Sequence, residues 1–171
     1  ERPFRAYAEA AYRADMLAMN GEGGEIQDMY GKYPKHRGVQ IASGRFGISS
    51  LCLNSSEWIE IKIGQGAKPG GGGMLLGQKI SDRVAAMRTL PKGIDQRSAC
   101  RHPDWTGPDD LAIKIQELRE LTDCEKPIYV KVGATRTFND VKLAVHAGAD
   151  VVVVDGMQGG TAATQTCYIE H

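Results

Sequence analysis

The feature that most constrains the fold is an alternation of strands and a helix in the second half of the sequence. Pro127 to Val132 has the pattern of a buried strand, and Val151 to Val154 is apolar throughout. Between them, Thr137 to Ala147 has the pattern of a helix that Gly148 ends. Apolar strands separated by crossover helices indicate a parallel sheet covered on both faces. Two α/β architectures fit this pattern, a doubly wound sheet and a (β/α)₈ barrel.

The rest of the chain adds elements of the same kind. The sequence predicts helices over 3–14, 81–88 and 109–121, and strands over 39–42, 58–63 and 93–99. The glycine clusters follow the C-terminal ends of strands, where both architectures carry their active sites. A complete barrel needs about 250 residues and the chain has 171, so it would supply roughly five or six of the eight strands. If the fold is a barrel, we expect part of one.

Composition excludes several classes of protein. The 21 basic residues balance the 21 acidic ones and form no basic block, so the sequence does not predict nucleic-acid binding. The longest apolar run, at 151–154, is far short of the roughly 20 residues that span a bilayer, and we expect no membrane insertion. The cysteines are scattered singly, which predicts free thiols in a reducing cytoplasm: Cys52, Cys100, Cys124 and Cys167.

The first candidate site is the glycine-rich loop that follows the strand at 58–63. Lys62 and Lys68 flank Gln65 in this loop, and its glycines allow a ligand to approach the backbone closely. Lysine charge and exposed N–H groups suit an anionic ligand. The Gly-Lys-Ser/Thr ending of a P-loop is missing. A surface turn with solvated lysines fits the same pattern.

Three further stretches also carry two interpretations. Glu22 is bracketed by glycines and either points into a cleft or caps a turn. Lys131 occupies the last outward position of a buried strand, which is costly without a partner and therefore favours a functional role. The glycine loop at 155–161 fits a phosphate or flavin edge as well as a tight turn.

The histidines do not predict a metal site. His102 and Trp105 could line a pocket, but no second histidine lies at ligand spacing. His36, His146 and His171 are expected to be ordinary surface residues. Because no Gly-x-Ser-x-Gly elbow is present, nucleophilic hydrolysis has little support.

The glycine motifs, taken in order, resemble a known family. The succession of 21–25, 42–47, 61–70 and 159–161 is similar to the FMN-binding synthase domain of the glutamate synthase large subunit. Within that family, the stretches 97–108 and 155–165 look more like the branch that contains methylamine–glutamate N-methyltransferase, also called N-methylglutamate synthase.

The resemblance implies a fold and a reaction. The fold would be an FMN-binding (β/α)₈ TIM barrel, with residues 1–171 as one partial domain that lacks the first and last strands. In glutamate synthases, ammonia from a glutaminase site adds to 2-oxoglutarate, and reduced FMN delivers hydride to the imino acid. In the methylamine branch, glutamate and methylamine give N-methylglutamate and ammonia. A third possibility is a non-catalytic barrel fragment that serves as an assembly subunit.

The resemblance also assigns roles to residues. Glu22, Lys62 and Lys131 would be catalytic, and Lys131 would stabilise negative charge on the reduced flavin. Gln65, Lys68 and Arg88 would bind the substrate carboxylates, with Arg88 gripping one of them bidentately. The flavin-binding positions would be Gln65, Lys131, Gly159, Gly160 and Thr161.

Some positions depart from the family pattern. Gly71 stands where the family usually has glutamate, and Met74 stands where a glutamine is common. The family's iron–sulfur cysteines fall beyond His171, so the four cysteines here are not expected to bind a cluster. We expect these residues to be part of a longer subunit that works in a hetero-oligomer with a glutaminase-like amidotransferase partner.

Overall fold

A computed structural model describes residues 2–68 and 70–156 of the chain. Helices in these residues are α1 (Arg2–Arg13), α2 (Ser50–Asn54), α3 (Asp82–Arg88), α4 (Pro108–Leu121) and α5 (Thr137–His146). Strands are β1 (Ala18–Met19), β2 (Arg37–Ile41), β3 (Trp58–Lys62), β4 (Met74–Leu75), β5 (Gln96–Arg97), β6 (Ile128–Gly133) and β7 (Val151–Asp155). Short 3₁₀ turns lie at Gln27–Met29, Pro34–His36 and Gly77–Lys79.

The main sheet has five parallel strands in the order β1-β2-β3-β6-β7. This order follows the chain without reversal, whereas the strand order of a doubly wound sheet reverses at its switch point. The structure therefore favours the barrel over the doubly wound alternative. It shows a curled, five-stranded part of a TIM-type barrel, in agreement with the coarse architecture that the sequence predicted.

The predicted strand at 93–99 is wrong in extent and in place. Only Gln96–Arg97 forms a strand, and it pairs antiparallel with Met74–Leu75, outside the parallel sheet. Gly93, the first residue of the predicted strand, has a φ of +78°, which is not an extended conformation.

The outer face of the sheet forms the hydrophobic core with the helices. Side chains alternate between the two faces of a strand, and here every second residue is aliphatic. The buried strand residues of this core are Val39, Ile41, Ile59, Ile61, Ile128, Val130 and Val132. They pack against α2, α4 and α5, which leaves the opposite, inner face of the strands for polar side chains.

Helix positions agree closely with the sequence predictions. α3 begins after Ser81, whose hydroxyl accepts a hydrogen bond from the backbone N–H of Val84 at 3.3 Å, as an N-cap should. α4 buries Leu111, Ile115 and Leu118 on one face. Leu121, the last residue of the helix, is 44% exposed. No helix in the described part of the chain is long and apolar enough to cross a bilayer.

A buried ion pair fixes the loop after β1 to the sheet. Arg37, at the start of β2, is 1% exposed and donates to the Glu25 carboxylate. The same guanidinium donates to the backbone carbonyls of Met29 and Ser55. These contacts anchor the segment that carries Glu22 at a fixed distance from the strand ends.

Candidate active site

Polar side chains collect on the inner face of the sheet, towards the C-terminal ends of the strands. The register places Gln40 beside Glu60, and Lys62 beside Lys131. Asp155, the last residue of β7, lies beside Gly133. Because these positions are spaced by two along their strands, their side chains share one face, opposite to the aliphatic core. The barrel thus gathers charge where (β/α)₈ enzymes carry their active sites.

Lys62 lies at the centre of this group. Its Nζ donates to Gln65 Oε1 at 2.6 Å and lies 3.5 Å from Glu22 Oε1, and the side chain is only 6% exposed. Burial lowers the pKa of Lys62, the Glu22 carboxylate opposes that shift, and Lys131 and Lys68 add to it. The structure therefore brings together Glu22, Lys62 and Gln65, which come from the C-terminal ends of two different strands, β1 and β3.

Lys131 and the loop after β3 meet at Asp155. The Lys131 Nζ lies 3.3 Å from Asp155 Oδ2, and the same oxygen accepts a hydrogen bond from the Gly66 N–H at 3.1 Å. Asp155 was not singled out from the sequence, although it begins the predicted glycine loop at 155–161. Its carboxylate holds the Lys131 ammonium at the inner face beside Lys62.

Gly66 approaches the end of β7 more closely than any side chain would allow. A Cβ built on Gly66 would lie 1.6 Å from the carbonyl oxygen of Gly156 and 2.6 Å from that of Asp155. We expect Gly66→Ala to destabilise the fold by about 1–3 kcal/mol, because the added methyl would clash with backbone atoms, which cannot move away as a flexible side chain could. Urea denaturation of the native protein measures this loss.

Gly64 provides the matched control for that variant. It lies in the same loop, and a Cβ built on it meets nothing within 4 Å. Gly64→Ala should therefore change the free energy of unfolding by less than about 0.5 kcal/mol. Equal effects of the two substitutions would show that the close approach of Gly66 to β7 does not hold the loop.

Arg88, the last residue of α3, lies next to the Glu22 loop. Its guanidinium packs over the Phe46 ring at 4.6 Å, and its Nη1 donates to Gln96 Oε1 at 3.1 Å. Gly24 makes the approach possible: its φ is +81°, and a Cβ there would lie 2.7 Å from the Met87 carbonyl oxygen. Burial lowers the pKa of Arg88, and the nearby Glu22 charge opposes that shift.

Two buried donors at this position have no partner among the described residues. They are Arg88 Nε and Gln96 Nε2, which belong to two side chains already joined by a hydrogen bond. A buried donor without an acceptor costs about 1–3 kcal/mol. The pair is therefore suited to a ligand that brings acceptor oxygens, such as a carboxylate.

Lys68 is buried and faces the run of glycines that follows it. Its Nζ donates to the Gly72 carbonyl at 2.9 Å, and its side chain is largely shielded from solvent. Gly73 exchanges hydrogen bonds with Ser98, and a Cβ on Gly73 would lie 3.0 Å from Glu22 Oε1. The glycine run thus lies against Glu22 and connects Lys68 to the same site.

Glu60 is a member of the site that the sequence analysis did not assign. It is 5% exposed, and its carboxylate accepts a hydrogen bond from Gln40 Nε2. Burial raises the pKa of Glu60, while Gln40, Lys131 and Lys62 oppose that shift. The available signal was the alternation that puts Glu60 and Lys62 on one side of β3, because two charged residues in a buried strand need partners.

Some sequence predictions fall elsewhere. Gly159, Gly160 and Thr161 lie outside the described residues. Trp105 does line a cavity, of about 540 Å³, but that cavity lies on the outer side of β6 between α4 and α5. It meets the polar site at Gln65, Gly70 and Gly133. The candidate site is the cluster of charged side chains on the inner face of the sheet, where the polar groups converge. Within residues 2–68 and 70–156, no group of three His, Cys, Asp or Glu residues lies together as metal ligands would.

The balance of charge indicates what this site can bind. Four basic side chains, those of Lys62, Lys68, Arg88 and Lys131, share the region with three acidic ones, those of Glu22, Glu60 and Asp155. An anion with two separated carboxylates would complete the set of partners, and Glu22 could exchange a proton with Lys62. The fold and the site define an α/β-barrel protein with a cluster of charged side chains at the C-terminal ends of its strands.

Comparisons with known proteins place this barrel in a family. A family model described as a conserved region in glutamate synthase matches residues 1–171. A glutamate synthase large subunit-like protein of Rhizobium meliloti is 66% identical over 166 residues, which cover 97% of this chain and 37% of that protein. The archaeal glutamate synthase (NADPH) of Archaeoglobus fulgidus is 42% identical over 161 residues, covering 94% of this chain and 31% of that protein. The chain belongs to the glutamate synthase family.

A plant relative extends the comparison. The chloroplastic ferredoxin-dependent glutamate synthase of Spinacia oleracea is 41% identical over 133 residues, or 77% of this chain and 8% of that protein. The chain spans about a third of the length of the first two relatives.

Proposed function

We propose that this chain forms part of the synthase barrel of an FMN-dependent glutamate synthase-type enzyme that aminates 2-oxoglutarate. The observation that carries the proposal is the buried Lys62, held between Glu22 and Gln65 at the C-terminal end of the barrel. The names of the relatives support this reaction over N-methylglutamate synthesis, which the resemblance of the stretches 97–108 and 155–165 had favoured. Residues 1–171 are proposed to lie within a single barrel domain.

The substrate would be held by its two carboxylates. Arg88 offers a fork of donors, with Nε free of any described partner, and this geometry suits a carboxylate. Lys68 and Lys62 supply charge from the neighbouring loop. Glu22 Oε1 lies 3.5 Å from Lys62 Nζ, so the two side chains can share a proton. The 2-oxo oxygen of the substrate requires a proton when it leaves as water, and this pair could supply it.

The inner face also fits FMN. When bound and reduced by an external electron donor, FMN would supply a hydride to the carbon that receives the amine. Lys131 presents a positive charge at the mouth of the barrel, where it can stabilise an anionic ring edge, and Gln65 supplies an amide within reach of Lys62. Gly159, Gly160 and Thr161 are proposed to contribute to the flavin site as well. An iron–sulfur cluster, if the whole protein has one, would be held by residues outside this chain.

One sequence observation favours an alternative amine. The stretches 97–108 and 155–165 resemble the branch of the family that contains N-methylglutamate synthase. Methylamine, with glutamate and N-methylglutamate as the five-carbon partners, is therefore the second candidate.

An assay of the native protein distinguishes these reactions. We expect a flavin absorbance band near one FMN per protein. With a two-electron donor such as a reduced nicotinamide or dithionite to reduce the flavin, we expect glutamate formation from 2-oxoglutarate with glutamine or ammonia as nitrogen donor. N-methylglutamate formed from glutamate and methylamine, without glutamate synthesis, would assign the second reaction instead. A protein with neither flavin nor product would be the non-catalytic assembly subunit. Copurification would test the proposed hetero-oligomer with a glutaminase-like subunit.

We expect Arg88→Lys to raise the KM for 2-oxoglutarate about tenfold while FMN stays bound. Lysine keeps the charge but loses the planar fork that binds a carboxylate bidentately. Steady-state kinetics and the flavin spectrum give the two readouts. Arg83→Lys is the control, because Arg83 lies on the same helix, is half exposed, and pairs with Asp28 on the surface. If Arg88→Lys lost FMN, Arg88 would instead be a flavin-binding or folding residue.

A further inference from the structure

His102 is a buried histidine that the proposed reaction does not use. It is 6% exposed, and its ring stacks on Trp105 with the centroids 4.0 Å apart and the planes 13° from parallel. Its Nε2 lies 2.6 Å from the backbone carbonyl oxygen of Lys62, forty residues away in the sequence. Because a carbonyl oxygen only accepts, Nε2 must carry the proton and donate it.

The carbonyl of Lys62 needs such a donor. The N–H groups of Ile59 and Ile63 donate to carbonyls of the β6 side, so the backbone groups of Lys62, which alternate with them, are directed towards β2. β2 ends at Ile41, and no strand residue continues beside Lys62. The imidazole of His102 therefore takes the place of a missing strand partner at the end of β3.

The choice of histidine at this position has a cost that packing alone does not explain. Nδ1 of His102 is buried and has no partner in the part of the chain that the structure describes. A buried acceptor without a donor costs about 1–3 kcal/mol, and a phenylalanine would stack on Trp105 without that cost. The imidazole is thus explained by its Nε2 donor rather than by its ring.

The segment that carries His102, residues 98–105, is itself fastened over the site. Ser98 exchanges hydrogen bonds with Gly73, and Ser43 donates to the Ala99 carbonyl at 2.6 Å. Arg45 pairs with Asp104 at 2.7 Å. Contacts before and after His102 in the sequence thereby fix its position, so its hydrogen bond can fix the backbone of Lys62.

We propose that His102 is a positioning residue, whose Nε2–H fixes the backbone of Lys62 and so directs the Lys62 ammonium and the Gln65 loop towards the substrate carboxylate. This inference rests on the proposed function, because it assigns a purpose to the direction of Lys62. Burial lowers the pKa of His102, in keeping with a neutral ring that has a single N–H.

Two substitutions separate the donor from the ring. His102→Phe keeps an aromatic ring against Trp105 but has no N–H, whereas His102→Gln can place its side-chain amide nitrogen near the position of Nε2. With the native protein and 2-oxoglutarate as the probe, titration calorimetry should show affinity about tenfold weaker for His102→Phe and within about twofold of wild type for His102→Gln. His146→Gln, at an exposed position on α5, is the control and should bind as wild type does.

Each other outcome overturns the inference. If His102→Phe binds 2-oxoglutarate as tightly as wild type does, the hydrogen bond has a structural role only. If His102→Gln binds 2-oxoglutarate as weakly as His102→Phe does, the N–H donor is not what the site requires. If His102→Phe fails to fold, the ¹⁵N chemical shifts of His102 in the wild-type protein decide, because an Nδ1–H tautomer or a charged ring at pH 7.5 contradicts the assignment.

A parallel variant distinguishes this inference from the proposed function. Lys62→Met should lose most of the 2-oxoglutarate affinity. If it does and His102→Phe does not, only the positioning role of His102 fails. If Lys62→Met binds 2-oxoglutarate as wild type does, the proposed substrate site itself is wrong.

Discussion

We expect Glu25→Gln to lower the free energy of unfolding by about 3–5 kcal/mol relative to the wild-type protein. The substitution leaves the Arg37 guanidinium buried, at 1% exposure, without a counter-charge. Breaking a buried pair in this way costs more than the pair itself contributes, because the remaining charge cannot return to water. The urea midpoint and slope of the native protein measure the loss.

Glu9→Gln is the matched control for that variant. Glu9 also pairs with an arginine, Arg13, but this pair lies on one face of α1 and its two side chains are 46% and 74% exposed. Surface pairs contribute roughly 0–1 kcal/mol, so Glu9→Gln should leave the urea midpoint nearly unchanged. A similarly small effect for Glu25→Gln would mean that water reaches Arg37 in solution.

The second large effect is expected for Lys131→Met. If Lys131 stabilises negative charge on the reduced flavin, its loss should cost about 2–4 kcal/mol of transition-state energy, by analogy with a lost oxyanion donor. That cost corresponds to a roughly 30- to 1000-fold fall in kcat. Rapid-reaction measurement of the reductive and oxidative half-reactions would show the fall with FMN still bound.

Two variants distinguish this role from a structural one. Lys142→Met removes an exposed lysine from α5 and should not change the rate. Asp155→Asn breaks the ion pair with Lys131 but keeps the ammonium at the strand end. If Lys131→Met had an unchanged rate, or lost no more activity than Asp155→Asn, Lys131 would be a strand-end lysine that serves only the contact with Asp155.

The parallel layers of the fold could be predicted because they depend on local patterns. Examples are the strands and helix over 127–154, helix α4 and the start of α3 after Ser81. Each of these is determined by residues that are close to one another in the sequence. The shortest pairings could not be found in this way. β1 is two residues long, and β4 pairs with β5 across twenty intervening residues, so neither has a periodicity of its own.

The site was predictable only in part, for the same reason. The glycine motifs and the resemblance they carry pointed to Glu22, Lys62 and Gln65, and the structure brings these three together. The catalytic roles of Glu22 and Lys62 and the binding role of Gln65 stay predictions. Glu60 and His102 depend on register and on contacts between distant loops, with Gln40 in one case and the Lys62 carbonyl in the other. A single sequence does not specify which strand lies beside which, so these partners appear only in three dimensions.

The alternation of the two strand faces has a consequence for how such a barrel can change over evolution. Ile59 and Ile61 face the helices and hold the sheet together, whereas Glu60 and Lys62 face the polar candidate site on the other side of the strand. A mutation on the inner face can therefore alter the charge of that site without removing aliphatic packing from the core. Selection on the site and selection for a stable barrel thus act on different residues of the same five-residue strand.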